Sequence, residues 1–219
     1  MEASASQPAG RREVDVAPAP APVATASAGW TPANPGPLGL AAFAATTFML
    51  SMLNADIVSL GGLGGVLAVA FAYGGIVQVL AGMWEFRAGN TFGAVAFSSY
   101  GAFWISYFVL VKITLGPTTT HAGISLFLYA WAIFTLLMLV ASLRTSGVLV
   151  VVFVLLTITF FLLAIGNAGL TGLQATNSTI KLGGWFGLAT AACAWYGALA
   201  GVANSTFGRD VLPLFPLGG

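Results

Sequence analysis

The chain has 219 residues, of which 58% are hydrophobic and only 6% charged, and its net charge is +1. A soluble domain carries about a quarter charged residues, so there is too little charge to cover a water-facing surface, and lipid must be the solvent for most of it. Seven basic against six acidic residues offer no clustered cationic face for nucleic acid. A single cysteine (Cys193) and a single histidine (His121) exclude an internal disulfide and the usual multi-ligand zinc sites. With so few catalytic side chains the chain reads as a protein that is not an enzyme and that needs no metal or cofactor.

Residues 1–30 are rich in Ala, Pro and Ser and lack apolar periodicity. Such a segment buries too little surface to offset its ordering entropy, so a disordered cytoplasmic tail is expected, and no signal peptide. Residues 31–212 form the membrane domain, and 213–219 a short C-terminal tail. The expected fold is all-α and polytopic, with six transmembrane helices at about 37–55, 63–83, 91–112, 122–142, 147–167 and 184–204, each near the length needed to cross the hydrocarbon. Glu85 falls just past the end of the second span and His121 in a loop. Arg11, Arg12, Arg87, Arg144 and Arg209 then share one side, against Lys112 and Lys181 on the other. That asymmetry predicts both termini on the cytoplasmic face of a plasma (inner) membrane.

In lipid, helices associate through small residues and interhelical hydrogen bonds. Gly61 and Gly65, and Gly197 and Gly201, have the four-residue spacing of helix contacts; each pair reads either as tight packing or as room for a solute. Helical spacing also aligns Phe43, Thr46, Thr47, Leu50 and Asn54 in the first span, and Tyr100, Phe103 and Tyr107 in the third. It likewise aligns Leu156, Phe160, Leu163 and Asn167 in the fifth span, and Thr190, Ala194, Gly197 and Gly201 in the sixth. A lone Thr usually bonds back to its own helix. Gln78 and Asn167 are harder to dismiss, because an amide in hydrocarbon needs partners. No ionisable side chain lies mid-span, so a relay of buried carboxylates is not expected.

The segment Asn34-Pro35-Gly36-Pro37-Leu38-Gly39-Leu40 resembles the opening signature of the acetate uptake transporter family, the succinate–acetate permease type, with Gly36 in place of the usual Ala. The resemblance continues in order through Tyr73-Gly74-Gly75-Ile76, Gln78, Glu85 and Gly89-Asn90-Thr91-Phe92-Gly93. It runs on through Phe97-Ser98-Ser99-Tyr100-Gly101, Phe134-Thr135-Leu136, Leu162-Leu163-Ala164-Ile165-Gly166-Asn167 and Phe207-Gly208-Arg209. It covers nearly all of residues 34–213. It implies a homo-hexamer of six-helix protomers in the lipid bilayer, each with its own path for acetate and similar small monocarboxylates, and for succinate by extension. It also implies a constriction at Phe43, Tyr100 and Leu156, substrate-size selection at Ala194, and structural roles for Pro35, Pro37, Gly39, Glu85 and Asn90.

A carboxyl group with a pKa of about 4–5 is ionised at neutral pH, and desolvating it unpaired is costly. With no cation within a span, neutral donors are expected along the path: Thr46, Thr47, Tyr100, Gln78, Asn167 and Thr190, and the helix start at Asn34-Pro35-Gly36-Pro37. Channel-like and proton-coupled passage both remain open. Two other readings stand beside this one: a pore for formate, ammonium or water, and a non-transporting membrane sensor or scaffold that docks partners through its tail.

Overall fold

The computed structural model describes residues 30, 32–114, 120–168, 170 and 176–217. Apart from Trp30, the expected N-terminal tail lies outside the described residues. These residues fold into α1 (Gly36–Asn54), α2 (Leu63–Phe71), α3 (Gln78–Ala88), α4 (Thr91–Val109), α5 (His121–Ser142), α6 (Gly147–Ala168) and α7 (Ser178–Phe207). A 3-10 turn at Leu60–Gly62 leads into α2, a π-helical segment at Ala72–Val77 joins α2 to α3, and a second at Leu110–Thr114 extends α4. Among the described residues, six helical stretches are long and apolar enough to cross a membrane: Gly36–Asn54, Leu60–Ala88, Thr91–Lys112, His121–Ser142, Gly147–Ala168 and Ser178–Phe207. The all-helical, six-span expectation is borne out.

Two spans are longer than expected, and capping explains both. Apolar runs stop at charged residues, but helices stop where their carbonyls are satisfied. The second span continues past Glu85 and Arg87 to Gly89, which adopts a left-handed φ of 79°. There Gly89 N donates to Phe86 O and Asn90 N to Glu85 O at 3.0 Å, the paired closure that a left-handed glycine permits. Glu85 is thus inside the helix and buried, not beyond its end. The sixth span begins at Ser178, not near 184, because the Asn177 side chain accepts from Ile180 N at 2.9 Å. His121 likewise opens α5 instead of sitting in a loop, since Thr120 caps that helix through Gly123 N. At α1 the capping acceptor lies one position outside the helix: Asn34 Oδ1 receives Gly36 N at 2.9 Å, while Pro35 occupies the N-cap.

α1 packs along α7, α7 along α6, α6 along α5 and α3 along α4, and α1 also touches the π-helical segment and α3. Small residues permit these approaches. A Cβ on Gly184 would strike the backbone of Asn54 and Ala55, and one on Gly187 would strike Ser51. One on Gly201 would lie 2.5 Å from Pro37 Cγ. Of the two predicted glycine pairs, Gly197 and Gly201 face α1, while Gly61 and Gly65 meet only loose side-chain neighbours. Outward positions are strongly apolar, with Leu126, Leu137 and Val140 more than 60% exposed. That is the reverse of a water-soluble surface.

After α7 the chain turns back. Asn204 Oδ1 receives the amides of Val211 and Leu212, and its Nδ2 donates to Leu212 O. Tyr196 donates to Pro213 O, and Gly147 N donates to Phe215 O at 2.7 Å. Ser146 and Pro216 form an isolated antiparallel bridge. Residues 211–217 are therefore tied across the α5–α6 turn.

Candidate transport site

Two cavities lie end to end inside the bundle. The first, of about 190 Å³, opens at the end that holds the starts of α1, α4 and α6; its polar lining is Asn34, Gln78, Glu85, Asn90, Tyr100 and Ser146. The second, of about 290 Å³, lies toward the other end and is lined among others by Thr47, Asn54, Asp56, Trp104, Thr159 and Asn167. Phe43 and Leu156 line both cavities, and Tyr100 lines the first. The three side chains predicted as a constriction are thus brought together where the cavities meet, all of them buried. Phe43 and Tyr100 stand with ring centroids 5.6 Å apart and planes tilted by 58°.

Tyr100 is held firmly. Its ring packs on Phe134, Trp131 and Phe153 at centroid distances of 5.5, 6.2 and 6.1 Å. Its hydroxyl lies 2.9 Å from Thr135 Oγ1, and Thr135 Oγ1 lies 2.7 Å from the carbonyl of Trp131. A threonine has one hydroxyl hydrogen. With that hydrogen on Trp131 O, Tyr100 must be the donor to Thr135, and it offers the cavity a ring in place of an O–H.

The same accounting sorts the other expected donors. Thr46 donates to Ala42 O and packs against Gly74; Thr190 donates to Phe186 O. Neither lines either cavity, and each is the back-bonded hydroxyl of an ordinary helix. Asn167 lines the second cavity with one amide hydrogen spent on Leu163 O at 2.8 Å. Thr47 lines the second cavity, and its hydroxyl has no partner. Gln78 lines the first, fully buried, with neither its amide N nor its O partnered. It follows directly on the π-helical segment, whose wider turn re-aims the residues after it.

Ala194 is fully buried in the core and lines neither cavity. Pro37 lines the first cavity against Gly201, Gly39 lies under the ring of Phe97, and Pro35 is buried. Asn90 serves three partners: its backbone N–H closes α3, its Oδ1 caps α4 by accepting from Gly93 N at 3.1 Å, and its Nδ2 donates to Glu85 Oε2 at 2.8 Å.

Sequence reading missed Thr135 and Trp104. Thr135 stood only as part of a motif, since nothing local shows that its oxygen faces Tyr100 on another helix. Trp104 Nε1 is an unpartnered donor in the wall of the second cavity. Its signal was present: an indole deep inside an apolar span needs a partner for its N–H.

Two facing cavities that meet at a ring-and-leucine junction inside a six-helix bundle define a membrane protein built around an internal path. Residues 17–218 match the model of the GPR1/FUN34/yaaH family, and the chain belongs to that family. Among its relatives, acetate permease A of Emericella nidulans is 43% identical over 199 residues, covering 83% of this chain. The chain spans 65% of that protein's length. The succinate-acetate/proton symporter SatP of Escherichia coli is 40% identical over 185 residues, covering 83% of this chain and 95% of its own. The solved structure of the bacterial acetate channel SatP superposes with a TM-score of 0.76 at 41% identity, covering 84% of this chain and 99% of its own. The resemblance read from the ordered motifs is borne out.

Proposed function

We propose that this chain carries acetate and similar small carboxylates across a membrane along the two cavities, with Phe43, Tyr100 and Leu156 as the size-limiting junction. The single observation that carries this reading is the convergence of both cavities on Phe43 and Leu156. The names of the relatives supply the solute class; succinate enters on the same ground. Transport, not catalysis, is the activity in this reading, as the names of the relatives support. Among the described residues no cluster of His, Cys, Asp or Glu could hold a metal.

The lining suits brief, weak contacts. Thr47 and Trp104 line the second cavity, and the buried Thr47 hydroxyl and Trp104 indole N–H have no partner, which supports reading them as neutral donors for the solute. Gln78 lines the first cavity with a buried amide that is likewise unpartnered. Between them the wall offers rings and an aliphatic side chain, because the Tyr100 hydroxyl is spent on Thr135. Ring edges carry partial positive charge and tolerate an acidic group better than an alkyl wall does. Multi-site, low-affinity contact favours throughput over retention.

Placement in the plasma (inner) membrane with both termini cytoplasmic rests on the arginine asymmetry, and a homo-hexamer rests on likeness to the family. Uptake of radiolabelled acetate into proteoliposomes, measured against protein-free vesicles, tests the reading. Acetate uptake that lactate competes away supports it. Flux of formate, ammonium or water without acetate flux would replace it with a pore for another solute.

A further inference from the structure

Two polar groups in the first cavity are not explained by fold or by simple anion conduction. Glu85 is 2% exposed on the last turns of α3; Oε2 accepts from Asn90, and Oε1 has no partner. The starts of two helices press on this carboxyl. A Cβ on Gly36 of α1 would lie 3.4 Å from Oε1, and one on Gly93 of α4 would lie 2.7 Å from the carboxyl carbon. The amides of Gly36 and Gly93 are already taken by Asn34 and Asn90, so neither reaches the free oxygen.

No cation lines the cavity. Its lining from α1 is apolar with Asn34 just before it, from α4 the titratable Tyr100 and apolar residues with Asn90 just before it, from α6 apolar residues with Ser146 just before it, from α7 glycine, and from the C-terminal segment Leu214. Arg87 on α3 itself, and Arg144, Arg209 and Asp210 at the same end of the bundle, are exposed and outside the lining. The contrast is with Asp56 in the second cavity, which pairs with Lys181 at 2.5 Å. A fixed carboxylate with no counter-cation repels an incoming carboxylate, so Glu85 would block the anion unless it carries a proton.

Gln78 is the second group. It lies seven residues before Glu85, two turns along the same helix face and about 10 Å deeper. Both ends of its buried amide are unpartnered. A carboxylate satisfies only the N–H of an amide and sets negative charge against its carbonyl. A protonated carboxylic acid satisfies both ends, with its O–H donated to Oε1 and its carbonyl accepting from Nε2.

We infer that Glu85 hands a proton to the solute and that Gln78 receives the neutral acid, so the species crossing the Phe43–Tyr100–Leu156 junction is the acid. This rests on the transport reading above. Glu85, protonated from the mouth of the cavity, meets an incoming carboxylate. The O–H bond at Glu85 breaks as an O–H bond forms on the solute, and Glu85 returns to a carboxylate held by Asn90. The acid pairs with Gln78, passes the donor-poor junction without charge, and releases its proton to water from the second cavity. One proton then moves with each solute, the coupling named for the SatP symporter, and no net charge crosses.

The test uses wild type, Glu85→Gln and Gln78→Leu in proteoliposomes, with uptake of labelled acetate taken net of protein-free vesicles. Wild-type uptake should persist at neutral pH, acidify the lumen, and ignore an imposed membrane potential. Glu85→Gln should lose uptake at neutral pH and recover it about tenfold per unit of acidification, tracking the neutral acid in solution. Gln78→Leu should lose uptake at every pH. Wild-type acetate flux that is driven by membrane potential, or a Glu85→Gln variant with the wild-type pH profile, overturns the handover while leaving transport intact. Wild-type vesicles with no acetate flux overturn the transport reading itself. Infrared difference spectra of wild type with carbon-13 acetate avoid any folding defect of the variants: a carboxylic-acid carbonyl band supports the handover, and carboxylate bands alone overturn it.

Discussion

The hydroxyl of Tyr100 on α4 is fixed by Thr135 on α5, 2.9 Å away, and Thr135 can only accept, because its own hydrogen serves Trp131 O at 2.7 Å. This bond sets the angle of the ring beside Phe43. In the proposed constriction, the width of the junction therefore depends on a residue outside the lining of either cavity. Thr135→Val strands a buried hydroxyl and should cost about 1–3 kcal/mol of stability. Tyr100→Phe removes both the hydroxyl and its need, and should cost less. Thermal unfolding in detergent orders the two, and uptake of lactate relative to acetate should rise more in Thr135→Val.

Leu156 is shared by both cavities. Leu156→Ala should widen the junction and raise lactate uptake relative to acetate, at a cost of about 2–5 kcal/mol for the lost buried side chain. Ala194 acts by another route. It lies fully buried away from both cavities, so Ala194→Leu should overpack the bundle and cost about 1–3 kcal/mol. Any change in solute preference should come with a lowered unfolding temperature. Equal preference in both variants and wild type would show that neither position sets solute size.

Glycines divide by what surrounds them. A Cβ on Gly82 would lie 2.5 Å from the backbone N of Ser98, and backbone cannot swing aside. Gly82→Ala should force α3 and α4 apart and lower stability by about 1–3 kcal/mol. Gly64 has nothing within 4 Å of such an atom. Gly64→Ala should therefore be neutral or stabilise by up to about 1 kcal/mol, through helix propensity alone. Unfolding temperatures of the pair check both signs.

The returning C-terminal segment makes a further prediction. Leu214 lines the first cavity, and three hydrogen bonds to Asn204 hold the start of the segment, beside those from Tyr196 and from the α5–α6 turn. Asn204→Ala should loosen it and leave the spans folded. Hydrogen exchange should quicken at the amides of Gly147 and Leu217, which donate to Phe215 O and Thr145 O. Acetate uptake should rise if the segment narrows the mouth. Unchanged exchange at Gly147 would show that the bridge at Ser146 holds the segment by itself.

The start of α1 was read from residue order, while the ends set by Asn90, Asn177 and Gly89 were not, although their signals are present. The asparagine caps, the left-handed glycine after α3 and the prolines opening α1 are local signals, readable within a few residues. Glu85 was misplaced because hydropathy ends a span at a charge, while the helix ended only where Gly89 could turn left-handed. The roles of Thr46, Thr190 and Thr47 were not separable in sequence. All three are threonines on apolar helices; two bond back to their own carbonyls, and one is left with a free hydroxyl in a cavity wall.

The sequence by itself determined the solvent, the number of spans and the family, because each follows from composition, apolar length or ordered motifs along one dimension. Only the tertiary structure decided which polar atoms are already satisfied. A hydrogen bond between helices joins residues far apart in the chain, as Tyr100 and Thr135 show, and no local pattern records it. By removing the committed donors it left Gln78, Thr47, Trp104 and one oxygen of Glu85 as buried, unpartnered groups on residues that line the two cavities.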